Sequence, residues 1–142
     1  MLKGRDPKRK YLYTPIREEK AENPTKVWLK RISRRLHAKI DDESIEMITE
    51  SVEGEDDRNI HRVKGGTKKL STLRGGVCGW ENMGDAEGEL VEWKDSTPAE
   101  IEESIGWFDE DLLNELFFEL TDNTEALAEI RKEYEKEQKD EE

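Results

Sequence analysis

The stretch STPAEIEESIGWFDEDLLNELFFEL, residues 96–120, carries the clearest structural signals of the chain. Thr97 followed by Pro98 and Glu100 forms a capping box with proline in the first helical position, which predicts the start of a helix. Asp109 can cap a second helix, whose leucines and phenylalanines recur at helical spacing and form the most apolar part of the sequence. The stretch therefore predicts two consecutive helices with a large apolar face.

Downstream of this stretch the sequence becomes mostly charged. Asp122 with Glu125 offers another capping box and predicts a third helix, which carries Ile130 and Tyr134. Residues 133–142 are almost entirely charged, so we expect them to form a frayed or disordered acidic tail.

A tight loop is predicted immediately upstream. Residues 80–83 and 90–93 flank a turn that contains Gly88, and glycine adopts the left-handed conformation that tight loops need. We expect a small hairpin or Ω-like loop that is anchored by Trp80 and Trp93.

The first third of the chain predicts a small β-sheet. Residues 11–16 are short and aromatic and contain Pro15, so they can form an edge strand at most. Asn23-Pro24 is a turn signal, and the β-branched and aromatic residues of the segment 25–32 favour a second strand.

The middle of the chain predicts two shorter helices. Ser33 can cap the first, which is expected to end at the acidic turn of residues 41–43, and residues 44–52 fit a helix or a strand equally well. Thr67 can cap the second, whose apolar positions reach Val77 and whose end is weakened by glycines.

These elements together predict an α+β fold, with a small N-terminal β-sheet or hairpin followed by a helical C-terminal part. We expect one domain over residues 11–132, a basic flexible arm at residues 1–10 and the acidic tail at residues 133–142.

The composition indicates a protein that works with partners. Of 142 residues only 32% are hydrophobic while 42% are charged, so the core is lean and a partner can complete it. Residues 1–40 hold 13 Lys or Arg and 4 Asp or Glu, whereas residues 81–142 hold 5 and 23. The basic and acidic ends can pair within the chain, which we favour, or they can face different partners or associate head to tail between copies.

The sequence contains no recognisable reactive centre. His37 and His61 stand in no metal-ligand spacing, and Cys78 has only glycines and apolar residues around it. We therefore predict no catalytic residues, no metal and no cofactor, and a protein that is not an enzyme. No apolar run is long enough to span a bilayer, so we expect no membrane association.

Nucleic-acid binding is a secondary prediction. Lys8-Arg9-Lys10 lies beside Tyr11 and Tyr13 and forms a basic–aromatic cluster of the kind that attracts phosphate backbones, and further Lys and Arg residues follow up to position 35. The remaining, strongly acidic part of the chain would repel the same polyanion.

The apolar helices supply the predicted partner surface. Neighbouring residues of a helix point in different directions, so the adjacent aromatic pairs of this region cannot all enter one core. The predicted partner-binding residues are Trp107, Phe108, Leu112, Leu113, Leu116, Phe117, Phe118 and Leu120.

Two short motifs resemble a family of small proteins encoded by tailed bacteriophages. Gly79-Trp80-Glu81-Asn82-Met83-Gly84-Asp85-Ala86-Glu87-Gly88 resembles their G-W-E-N-(F/M)-x-D-x-x-G segment, and residues 22–29 resemble their E-N-P-T turn with its strand. The family also ends in a leucine-rich helix and a polar tail, as this chain does. The motif and structural residues that we single out are Asn23, Pro24, Gly79, Trp80, Glu81, Asn82, Asp85, Gly88 and Trp93.

The resemblance implies a tail assembly chaperone. Such a protein binds the tape measure protein and tail tube subunits in the host cytoplasm and is released before the virion is complete. Two alternatives stay open: a permanent virion component, such as a head–tail connector or tail protein, and an acidic DNA mimic that inhibits a host protein. Self-association of the chain is a further expectation.

Overall fold

The computed structural model describes residues 1, 9–51 and 68–140, so His61, the predicted cap Thr67 and most of the predicted basic arm at residues 1–10 lie outside the described residues. It confirms the α+β fold. A short 3-10 helix, η1, occupies Ile16–Glu18 between the first two strands. The remaining elements, in chain order, are β1 (Lys10–Tyr13), β2 (Lys26–Lys30), α1 (Arg34–Ser51), α2 (residues 68–76), β3 (Val77–Glu81), α3 (Pro98–Ile105), α4 (Glu110–Leu120) and α5 (Thr124–Asp140).

The three strands form an antiparallel sheet in the order β1-β2-β3. Strand β3 differs from the sequence prediction, in which the preceding helix continued to Val77. Glycines at the end of α2 weaken the helix, and Val77 instead pairs with Leu29 and is buried in the core. Burial beside β2 therefore decides the conformation of this segment.

The sheet has one covered face. Val27 and Leu29 are fully buried, and Leu116 of α4 lies in the same cluster with no exposed surface. Because side chains alternate along a strand, Leu12 and Trp28 point to the opposite face. The core consists of Val27, Leu29, Leu73, Val77, Met83, Ile105, Phe108, Leu112, Leu116 and Leu120.

Helix α1 begins where the sequence predicts and ends later. The Leu36 amide donates to Ser33 Oγ at 3.1 Å, which confirms the cap. The helix then continues through the expected turn at residues 41–43 to Ser51. Asp41 pairs with Lys68 at 3.1 Å, and the neighbouring Ile40 is buried, so tertiary contacts hold this acidic stretch in the helix.

The capping predictions for the C-terminal helices are confirmed twice and wrong once. Thr97 Oγ1 accepts from the Glu100 amide at 3.2 Å, and Asp109 Oδ1 accepts from the Leu112 amide at 2.9 Å. Asp122 does not cap α5 but adopts a left-handed conformation, φ 55°, after α4. Asn123 is the cap, since its Oδ1 accepts from the Ala126 amide at 3.2 Å.

Helix α5 continues to Asp140, so residues 133–140 are helical where the sequence predicted a frayed tail. Arg131, Glu135 and Lys139 follow one another at four-residue spacing, and such alternating charges stabilise an exposed helix. Arg131 also binds both carboxylate oxygens of Glu19, at 2.7 and 2.8 Å, and attaches α5 to the segment that follows η1.

Candidate functional site

The two motifs of the phage-like resemblance meet in space at Asn82. Its Nδ2 donates to Asn23 Oδ1 at 2.7 Å and to the Pro24 carbonyl at 3.4 Å. Thr25 Oγ1 donates to the Asn82 carbonyl at 2.6 Å. Asn82 adopts φ 57°, a conformation that asparagine tolerates better than most residues. Segments 57–59 residues apart in sequence thus form one structural unit.

The loop after Asn82 is organised by Asp85. Its Oδ1 accepts from the amides of Glu87 and Glu89 at 2.9 and 3.0 Å, and its own amide donates to the Glu89 carbonyl at 2.8 Å. Gly88 has φ 84°, the left-handed conformation predicted for it. Asp85 and Gly88 therefore shape the loop, and the Asp85 oxygen is occupied by backbone donors.

Trp80 holds the returning strand of the loop against the sheet. Its Nε1 donates to the Val91 carbonyl at 2.7 Å, and its ring meets Trp93 and Phe108 edge-on, at 5.0 and 5.6 Å between centroids. The two tryptophans thus contact each other where the loop begins and ends. Gly79 lies between Trp28 and Trp93, and Glu81 is exposed opposite Lys26.

A buried carboxylate ties the N-terminal hairpin to α4. Glu115 Oε2 accepts from the Tyr13 hydroxyl at 2.6 Å and from the Ile16 amide at 3.1 Å. Burial raises the pKa of Glu115, and these two hydrogen bonds oppose that rise. The pKa of Tyr13 is raised by burial and by the same bond, so its hydroxyl stays a donor. Since structural donors occupy Glu115, its role in the fold accounts for its burial.

The eight predicted partner-binding residues divide into two groups. Phe108, Leu112, Leu116 and Leu120 are core residues and are not available to a partner. Helical spacing shows that one face of a helix is apolar, but it cannot show whether the same chain already covers that face. In this protein the sheet covers it. The residues with accessible surface are Trp107, which is 49% exposed, and the half-buried Leu113, Phe117 and Phe118.

Phe118 lies in an open groove between α4 and α5, with a volume of about 380 Å³. Ile16 and Leu112 form its floor, and Ile130 and Tyr134 of α5 complete the apolar lining. The Tyr134 hydroxyl donates to the Arg17 carbonyl at 3.3 Å. Sequence analysis found Phe118 but placed Ile130 and Tyr134 only as helix positions, because their meeting with α4 depends on how α5 folds back.

A second groove of about 570 Å³ lies between α1 and the C-terminal end of α4. Arg31, Arg34 and His37 line it together with Glu119 and Asp122. Arg31 approaches Asp122 at 3.8 Å, so this groove presents both signs of charge.

The basic–aromatic cluster predicted near the N-terminus is divided by the sheet. The hydroxyls of Tyr11 and Tyr13 donate to Glu119 and Glu115 on the covered face. Lys10 stands opposite Lys30 across the β1–β2 ladder, on the other face. Tyr13 is therefore not presented together with Lys10, whereas Tyr11 lines a groove with Arg31 and Arg34. Lys8 lies outside the described residues, and nucleic-acid binding stays a prediction.

The basic and acidic ends of the chain pair with each other at several points. Arg17 binds Asp109 at 2.8 Å and Arg31 approaches Asp122 at 3.8 Å, whereas Glu19 and Arg131 pair at 2.7 Å with the signs reversed. The bond from Arg17 lowers the pKa of the Asp109 carboxyl. Pairing within the chain, the explanation favoured from the sequence, thus occurs between residues about 90 to 110 positions apart.

The part of the chain that the structure describes contains no cluster of three or more His, Cys, Asp or Glu residues arranged to hold a metal ion. None of its helices combines the length and the apolar composition needed to cross a membrane. Comparisons of the chain with protein-family models, curated proteins and solved structures found no match.

Proposed function

We propose that this protein is a non-enzymatic tail assembly chaperone of a bacteriophage, acting in the host cytoplasm, and that it binds the tape measure protein through the groove between α4 and α5. The open groove at Phe118 is the observation that carries the proposal, because its apolar residues lie between two helices, and a groove of this kind can receive the apolar face of a partner helix. The direct bonding of Asn82 with Asn23 supports the resemblance, since the two motifs act as one unit.

Glu115, the most buried carboxylate among the described residues, has a role in the fold. Its Oε2 accepts from the Tyr13 hydroxyl and the Ile16 amide, and the residue borders the proposed docking groove. Asp85 and Asp109 likewise accept from backbone amides of their own turn or helix. Their positions in the fold are explained without a reaction.

The test is co-expression of the tape measure protein with this chain. We expect the tape measure protein to stay soluble and to copurify with the wild-type chain, and Phe118→Ala to reduce the copurified amount at least five-fold. Trp107→Ala is the control, because Trp107 is an exposed aromatic residue that does not line the groove. Equal retention by both variants would reject the groove as the binding site.

Mass spectrometry of purified particles separates the chaperone from a permanent virion component. The chaperone should be absent from mature particles and present in the lysate of infected cells. A stoichiometric amount in the particle would replace our proposal by the virion alternative, a head–tail connector or tail protein.

A further inference from the structure

The rim of the α4–α5 groove is acidic. Asp111 lies on the α4 side, and Glu133 and Glu137 lie one helical turn apart on α5. Glu133 and Glu137 form no ion pair with a described residue of the chain, whereas Asp111, like Asp109, attracts Arg17 electrostatically. Arg17, the one basic residue of the lining, is already bound to Asp109 at 2.8 Å.

Two like charges four residues apart on a helix repel each other, so the placement of Glu133 and Glu137 disfavours the isolated helix slightly. Both nevertheless border the same apolar lining of Ile130 and Phe118. A cation placed between them would turn this repulsion into attraction on both sides. An occupant that is complementary to this groove therefore has apolar side chains for the floor and basic side chains next to them for the carboxylates.

We propose that the groove binds a basic amphipathic helix, with apolar side chains against Phe118 and Ile130 and lysine or arginine side chains toward Asp111, Glu133 and Glu137. This inference rests on the proposed function, for which it defines the chemistry of the partner segment. The walls of the groove are held in place beforehand, since Arg131 binds Glu19 through two hydrogen bonds and Tyr134 reaches the Arg17 carbonyl. A rigid site of this kind loses little conformational entropy when its partner binds.

The experiment measures fluorescence anisotropy of two labelled peptides with the full-length chain at low salt. One is an 18-residue amphipathic helix of Leu, Ala and Lys, and the other has Glu at each Lys position. We expect saturable binding of the basic peptide and none of the acidic one at the same concentrations. The double variant Glu133→Gln/Glu137→Gln should bind the basic peptide about five-fold more weakly, as expected for two exposed ion pairs.

The matched control is Glu125→Gln/Glu129→Gln, which removes another pair of like charges four residues apart on α5, at positions that do not line this groove. It should bind the basic peptide as the wild type does. Equal affinity of the two double variants, or binding of the acidic peptide, would overturn the inference. Self-association of the chain would also overturn the inference. It would appear as a molecular mass that rises with protein concentration and that Phe118→Ala returns to the monomer value, because the occupant of the groove would then be a second copy.

Failure of this inference is distinguishable from failure of the proposed function. If the chain captures the tape measure protein but neither peptide, the function stands and the basic-helix chemistry is wrong. If it binds the basic peptide but no tape measure protein, the groove chemistry stands and the chaperone role is wrong.

Discussion

The loop of residues 80–93 and the α4–α5 groove differ in how their polar side chains are paired. In the loop, the side chains of Asn82, Asp85 and Trp80 each have a hydrogen-bond partner within the chain, and the buried Nε1 of Trp93 is an exception. At the groove, Glu133 and Glu137 have no ion-pair partner among the described residues and stand beside half-buried aromatic rings. The residues that carry the family resemblance are therefore those that build the fold, whereas the groove keeps groups available for a partner.

The largest expected effect tests the loop side of this comparison. Trp80→Ala removes the hydrogen bond to Val91 and the ring contacts with Trp93 and Phe108, and it should lower the free energy of unfolding by about 3 kcal/mol. Urea denaturation measures the change. Trp107→Ala is the control, because Trp107 is exposed and its removal should change stability by less than about 0.5 kcal/mol.

The next effect concerns the buried bond between Tyr13 and Glu115, and it depends on pH. Tyr13→Phe should lower the free energy of unfolding by about 2 kcal/mol at pH 7, because it removes a donor from a buried carboxylate. The pKa of Glu115 is higher in the folded than in the unfolded protein. Its contribution to the free energy of unfolding is therefore fully present below the unfolded pKa and is lost as the pH rises through the folded pKa.

Losing the Tyr13 hydroxyl raises the pKa of Glu115 further, so the destabilisation by Tyr13→Phe should be smaller near pH 4.5 than at pH 7. Unfolding curves of wild type and variant at both pH values measure this difference. Tyr11→Phe should lower the free energy of unfolding at pH 7 by less than Tyr13→Phe does, since its bond to Glu119 is longer, at 3.2 Å. A pH-independent difference for Tyr13→Phe would contradict a role for Glu115 ionisation.

A smaller effect separates the conformation of Asn82 from its hydrogen bonds. Asn82→Ala loses the bonds to Asn23 and Pro24 and must hold φ 57° with a residue that disfavours it, so stability should fall by about 2 kcal/mol. Asn82→Gly loses the same bonds, but glycine adopts this φ freely. The free energy of unfolding should therefore fall by only about 1 kcal/mol. Equal losses in thermal unfolding would mean that the bonds alone matter.

The smallest effect has the opposite sign. Glu133→Gln/Glu137→Gln should leave the free energy of unfolding unchanged or raise it by about 0.2–0.5 kcal/mol, because it relieves a like-charge pair on α5. Differential scanning calorimetry measures this small shift. A clear destabilisation would show that these carboxylates support the fold, and the contrast between loop and groove would disappear.

Local signals in the sequence were sufficient for the elements that local chemistry decides. The caps at Ser33, Thr97 and Asp109 depend on contacts within three residues, and they are where the sequence placed them. The loop between Trp80 and Trp93 was predictable for the same reason, since its turn residues lie within the segment.

The remaining features depend on partners distant in sequence. Val77 becomes a strand residue because Leu29 lies beside it, and Leu116 is buried because the sheet covers α4. The apolar pattern of α4 looks the same whether a sheet or another protein covers it, so the candidate site could be assigned to the right helix but not to the right side of it. The acidic rim needed the fold of α5 against η1 before it could be recognised.

The bond between Ile16 and Glu115 has a consequence for synthesis of the protein. The two residues are 99 positions apart, so the N-terminal hairpin is synthesised well before α4, against which it packs. At ordinary elongation rates that interval is about 5–20 s. For this time the apolar side of the sheet is open on the ribosome, and a slow codon or a ribosome-bound helper in that window would change the yield of folded protein without altering any residue.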